Sequence, residues 1–214
     1  DKLISGETLV TGKSLKEIRE GIKNRVALLS GKRLTSLKGL ENFTQLTHLN
    51  LSENWPRVGS LEKFDQLTHP NLAGKRLASL KGLENFTQLT HLNLAGKRLT
   101  KLPKGLEKLD QLKDLYLAGN QLTDVKGLEN LTQLTHLKLT DNRLTSVEAL
   151  EKLTQLKELW LSNNQLTSVK GLENLTQLTE LKLTDNRLTS VEGLEKLTQL
   201  TELKLTDNRL TSVE

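Results

Sequence analysis

Cysteine and methionine are absent from this 214-residue chain. That removes a disulfide framework, a thiolate metal site and a cysteine nucleophile from consideration. Proline occurs 3 times and glycine 14 times, far short of a collagen-like or Pro/Gly-rich disordered polymer. The only aromatics are three Phe, two Trp and one Tyr. Nucleic-acid binding wants basic residues clustered with stacking aromatics. No such cluster is visible, so no nucleic-acid partner is expected. No apolar run approaches the roughly 18 residues that span a bilayer, so membrane insertion is not expected either.

What is abundant is leucine, at 52 positions, against 8 valines and 3 isoleucines. The apolar content is close to a single residue type. The net charge of +5 is unevenly spread: residues 1–110 hold 19 Lys+Arg and 11 Asp+Glu, residues 111–214 hold 12 and 15. A basic half attracts acidic partners. The two signs are interleaved every few residues, however, and a solvated mixed surface is the simpler reading.

The leucines fall into a repeat. Its clearest copy runs Leu134-Thr-His-Leu137-Lys-Leu139-Thr-Asp-Asn142, followed by Leu144, Val147, Leu150 and Leu153 at steps of three. The leading leucine recurs at Leu46, Leu67, Leu89, Leu112, Leu134, Leu156, Leu178 and Leu200, with spacings of 21, 22, 23 and then 22 throughout. This pattern resembles the leucine-rich repeat, and the 22-residue length with its L-T-x-L step is most similar to the bacterial internalin-type subclass. The resemblance covers residues 26–214 in about eight repeats. It implies a solenoid of class α/β: a curved parallel β-sheet on the concave face, 3-10 and turn segments on the convex face.

Physical chemistry leads to the same architecture. Leu137 and Leu139 are two apart and point to one face of a strand, while Lys138 points to the other. Steps of three in the return segment suit turns or 3-10 helix. No repeat buries its apolar face alone, so stability must come from stacking. Asn54, Asn120, Asn142, Asn164, Asn186 and Asn208 end the strands, where an amide both donates to and accepts from the neighbouring turn. In the family these form an asparagine ladder. Lys32, Lys75 and Lys97 take that place in the basic half and are expected to swing outward, because lysine resists burial. Pro70 replaces a strand leucine and cannot donate to a sheet, so the repeat at 67–88 is expected to be the weakest. Phe43, Phe64 and Phe86 replace leucine on the return segment, as core residues.

The ends differ. Ser14 and Glu17 read as a capping box, and Leu15, Ile18 and Ile22 lie on one helical face. Residues 1–25 are therefore expected to form an N-terminal cap with a short helix. The sequence stops in mid-repeat at Glu214. The expectation is that a C-terminal cap is missing and that this end frays or self-associates.

Candidate chemistry is sparse. Gly12-Lys13-Ser14 resembles the end of a P-loop, but Glu7 stands where the first glycine belongs, and Ser14 already serves as a cap. His48, His69, His91 and His136 occupy one outward column. His48, His69 and His91, in consecutive repeats, are a weak alternative as a zinc site. Parallel imidazoles copied by duplication are the stronger account, and neither metal nor cofactor is expected. Glu158, Glu180 and Glu202 continue that column, and exposed acid–base pairs with Lys182 and Lys204 contribute about 0–1 kcal/mol each. No base is paired with a nucleophile in a pocket, so an enzyme is not expected. The sequons at Asn42, Asn85, Asn130 and Asn174 arise from the repeat consensus and matter only in a glycosylating pathway.

The second outward column reads Asn50, Asn71, Asn93, Tyr116, Lys138, Trp160, Lys182, Lys204. Tyr116 and Trp160 break its polar pattern, and both are residue types enriched in binding hot spots. Drift within a duplicating repeat is the bland alternative. With His136 and Glu158, they make Tyr116, Lys138 and Trp160 the candidate site. The resemblance implies non-enzymatic binding of a protein partner through the concave face. Two alternatives remain: a recognition or regulatory segment of a larger multidomain protein, such as one preceding a GTPase or kinase domain, and an engineered repeat scaffold. No signal or transmembrane segment is visible, which leaves bacterial cytoplasm and cell surface both open.

Overall fold

A computed structural model of the chain describes residues 26–28, 48–50, 69–71 and 86–211, the first three segments by their backbone. The expected N-terminal cap at 1–25, Gly12-Lys13-Ser14, Lys32, Phe43, Asn54, Phe64 and Lys75 lie outside the described residues.

Among the described residues, nine three-residue strands make one parallel sheet in chain order. They are β1 (Val26–Leu28), β2 (His48–Asn50), β3 (His69–Asn71), β4 (His91–Asn93), β5 (Asp114–Tyr116), β6 (His136–Lys138), β7 (Glu158–Trp160), β8 (Glu180–Lys182) and β9 (Glu202–Lys204). β1 precedes the eight leading leucines. From β4 to β8 the middle residue of each strand is buried and its two neighbours are half-buried. That is the period-2 alternation of a sheet with one face in the core. The register is 22 residues per step from β5 onward, for example His136↔Glu158, Leu137↔Leu159 and Lys138↔Trp160. Columns in the sequence therefore become rows across the sheet.

The core is leucine stacked on leucine. Leu134, Leu137, Leu139, Leu144, Leu150 and Leu153 are all fully buried, and Phe86 is part of the same cluster. Among the described residues, the convex side returns through turns and three short 3-10 helices, Leu106–Lys108, Glu148–Leu150 and Leu194–Lys196. Two of them start after a left-handed glycine, Gly105 or Gly193. Where Ala149 replaces that glycine, the helix starts earlier, from Val147 in a non-helical conformation.

From β4 to β9 each strand exits through a left-handed residue just before the ladder position: Gly96, Gly119, Asp141, Asn163, Asp185 and Asp207, with φ between 55 and 68°. Gly, Asn and Asp are the residue types that tolerate this region. At β3 the pairing thins. β2 and β3 share three residue pairs, whereas β3 meets β4 only at Asn71↔Asn93. Pro70 brings no N–H to that ladder. In the last repeat Leu203 is 42% exposed, while Leu200, Leu205 and Leu210 are partly buried.

Candidate functional site

The ladder residues hold the sheet face in shape. Asn142 Nδ2 donates to Leu117 O and Leu139 O, both at 3.0 Å, and its Oδ1 accepts from Leu122 N at 3.0 Å. Asn164 and Asn186 repeat the pattern one and two steps on. Asn120 starts it, reaching Leu94 O, Leu117 O and Leu99 N. Asn208, only partly buried, closes it on Leu183 O, Leu205 O and Leu188 N. Each rung ties one repeat to the one before it.

Lys97, in the rung before Asn120, corrects an expectation. It does not swing free: it is half-buried, and burial pushes its ammonium down to about 8. The turn changes with it, because Arg98 takes φ 59° beside Gly96 at 68°.

Two rows of side chains stand on the outward face of the sheet. The first contains His91, Asp114, His136, Glu158, Glu180 and Glu202. Asp114 is its centre. One carboxylate oxygen meets His91 Nε2 at 2.6 Å, and the other meets His136 Nδ1 at 2.6 Å. The opposite nitrogen of His91 lies 2.8 Å from Thr90 Oγ1. His136 Nδ1 also lies 2.9 Å from Thr135 Oγ1, and its Nε2 is 3.8 Å from Glu158. These imidazoles are therefore bound into a carboxylate bridge. Among the described residues, no group of three or more His, Asp or Glu side chains is arranged to hold a metal ion. β2 and β3 place His48 beside His69 in register.

The second row carries the aromatics. Tyr116, Lys138 and Trp160 occupy one row on β5, β6 and β7, all half-buried rather than exposed. The Lys138 ammonium lies 3.6 Å from the Trp160 ring centroid and 5.0 Å from that of Tyr116. Lys182 adds a second ammonium 3.9 Å from Trp160. The row is a continuous Tyr–Lys–Trp–Lys stack of cation–π contacts, each contributing about 0.5–1 kcal/mol where exposed and about 2 when desolvated. Burial first, then the Asp114 and Glu158 carboxylates, push the Tyr116 phenol up, since all three disfavour a phenolate. Lys182 also pairs with Glu180, and Lys204 with Glu202 at 2.8 Å.

The candidate residues thus come together: Tyr116, Lys138 and Trp160 in one row, His136 and Glu158 in the next. Sequence reasoning missed Asp114 as the bridge and Lys182 as the fourth member of the stack. The signal for Asp114 was present, because Lys113-Asp114-Leu115 stands where neighbouring repeats read Thr-His-Leu.

Residues 87–130, 110–152, 132–174, 154–196 and 176–214 match a family model described as leucine-rich repeats (2 copies). The chain is similar in structure to internalin C2 of Listeria monocytogenes, with TM-score 0.79 and 25% identity over 85% of this chain and 80% of that one. It is also similar to a leucine-rich-repeat protein of Leptospira interrogans, with TM-score 0.69 and 25% identity over 95% and 67% of the two chains. A third similar structure is the ectodomain of a plant membrane receptor kinase from Arabidopsis thaliana, in complex with Casparian strip integrity factor 2. There the TM-score is 0.63 and the identity 30%, over 81% of this chain and 23% of that one. No curated protein matches the chain in sequence.

Proposed function

The chain belongs to the leucine-rich repeat family, and from that premise we propose that it is a non-enzymatic recognition module binding a protein partner on the concave face of its sheet. Leucine-rich-repeat proteins generally mediate protein–protein interaction. One observation carries the choice of face: the stack of Tyr116, Lys138, Trp160 and Lys182. The stack contributes nothing to the leucine core, which lies on the other face. It offers large aromatic area whose rotamers are already held by the flanking lysines, so less side-chain entropy is lost on binding. His136 and Glu158 flank it and supply polar contacts at the rim.

The test is a Tyr116→Ala, Trp160→Ala double variant. Its melting temperature should stay near that of the parent, since both rings rest on other outward side chains. Its affinity for a protein partner isolated with the parent chain should fall by at least about 2 kcal/mol. Unchanged affinity moves the site elsewhere on the solenoid. Loss of the fold shows that the two rings belong to the core.

A further inference from the structure

We propose that the centre of this row, the Lys138 ammonium together with the Trp160 indole N–H, receives one carboxylate side chain from an extended segment of the partner protein; the proposal rests on the concave-face reading above.

The argument is a pairing of charges and hydrogen bonds. Glu180 is matched by Lys182, Glu202 by Lys204, and Asp114 by His91 and His136. Once these are paired, Lys138 is the lysine of the row with no carboxylate partner among the described residues; its ammonium rests only on the two rings. Beside it, Trp160 Nε1 is covered and finds no acceptor among the described residues. Indole nitrogen is a donor only, as is an ammonium. Both unmet demands at the centre of the row are therefore for an acceptor. Ring contact satisfies part of the lysine's charge and none of the indole's hydrogen bond. Lys138 and Trp160 are register partners on adjacent strands, about 4.8 Å apart at the backbone. A single carboxylate, with its two oxygens, spans that distance. Its arrival draws Lys138 off the face of the ring and gives the indole N–H an acceptor.

The neighbouring row sets what accompanies that carboxylate. Residues two apart in an extended peptide lie about 6.8 Å apart on one side, which is also the separation of the two rows of this sheet. A partner residue two positions from the acid thus falls over His136 and Glu158, the pair two residues back on the same two strands. Among the described residues Glu158 has only the 3.8 Å approach of His136 Nε2, whereas Glu180 already holds Lys182. A second acid is repelled there and a Lys or Arg is attracted. The occupant is a segment with one Asp or Glu and a basic residue two positions away, not a run of acids.

A random dodecapeptide library displayed on phage, selected on the full chain, tests this. Recovered sequences should be enriched in an acid and a base two apart. Synthetic copies should bind with at least about tenfold lower affinity to Lys138→Gln and within about threefold to Lys138→Arg. Replacing the peptide's acid by its amide should cost the same factor on the parent chain and little more on Lys138→Gln, as a double-mutant cycle requires of a direct contact. In a Trp55→Phe background, where Trp160 is the sole tryptophan, its indole N–H resonance should move downfield on adding the acidic peptide and not the amide. Peptides that ignore Lys138→Gln but are lost on the Tyr116→Ala, Trp160→Ala variant overturn the carboxylate pocket and leave the concave-face reading standing. Peptides indifferent to both variants, or a selection that returns none dependent on this face, overturn both.

Discussion

Truncating Asn142 to alanine measures what one rung of the ladder contributes. Its amide makes three hydrogen bonds of 3.0 Å and a longer one to Thr140 O at 3.4 Å, and they are not equal. Leu117 O retains Asn120 Nδ2 at 2.8 Å, and Leu139 O retains Asn164 Nδ2 at 3.0 Å. Both carbonyls keep a donor after truncation. Leu122 N has Asn142 Oδ1 as its hydrogen-bond acceptor, and Asn142 is only 8% exposed, so water does not easily take its place. An orphaned buried amide costs about 1–3 kcal/mol, and two carbonyls reduced to single donors add about 1 kcal/mol, giving about 2–4 kcal/mol for Asn142→Ala. Asn208→Ala removes the same set of bonds where the side chain is partly exposed, and should cost less than half as much. Because repeat proteins open locally, native-state hydrogen exchange read at the Leu122 amide is the assay, with chemical denaturation beside it. Exchange at Leu122 should speed up by about 30-fold or more for a loss of 2 kcal/mol. A change below about 0.5 kcal/mol, with Leu122 still protected, would refute the reasoning; so would a larger cost at Asn208 than at Asn142.

Two further outcomes follow from single positions. Gly171, at φ +94°, would place an added Cβ 2.8 Å from Glu148 Cα, whereas the nearest atom to one on Gly127, at φ +103°, is Leu102 Cδ1 at 3.8 Å. Both alanine variants pay about 1–2 kcal/mol for the left-handed backbone. Gly171→Ala should cost about 1–3 kcal/mol more through the clash, and equal urea midpoints would contradict that. Lys97 supplies a pH dependence. Its folded-state pKa is lowered to about 8 from 10.5 by burial, so the unfolded chain binds the proton more tightly. The charged lysine penalises folding fully below pH 8, and stability is regained as pH rises toward 10.5. The parent chain should therefore be less stable than Lys97→Met at pH 7, with the gap closing by pH 10. A gap independent of pH in paired thermal melts would show that the ammonium is solvated.

The leucine pattern was legible down to single residues because it reports covalent geometry. Leu137 and Leu139 must face one way and Lys138 the other in any strand, and three-residue steps cannot make a long α-helix. The candidate row was legible for the same reason. A constant 22-residue period stacks position on position, so Tyr116, Lys138 and Trp160 had to be neighbours once the strands paired in parallel. Lys97 was misread because lysine's general resistance to burial was applied to it, whereas its ammonium is half-buried and desolvated once the repeats stack. Asp114 was passed over because its column was read as histidines and glutamates, and one acid among them looked like variation.

Sequence alone thus determined the solenoid, the face each side chain takes and the order of side chains along each row, since these depend only on backbone period and chirality. It did not determine which partner each outward group chooses. Lys138 had two rings and flanking carboxylates within reach, and it rests on the rings. Asp114 had two imidazoles and binds both. Such choices differ by about 1 kcal/mol, and they are settled by side-chain rotamers, local burial and the pairing of every neighbour at once. Those exist only when nine strands stand side by side.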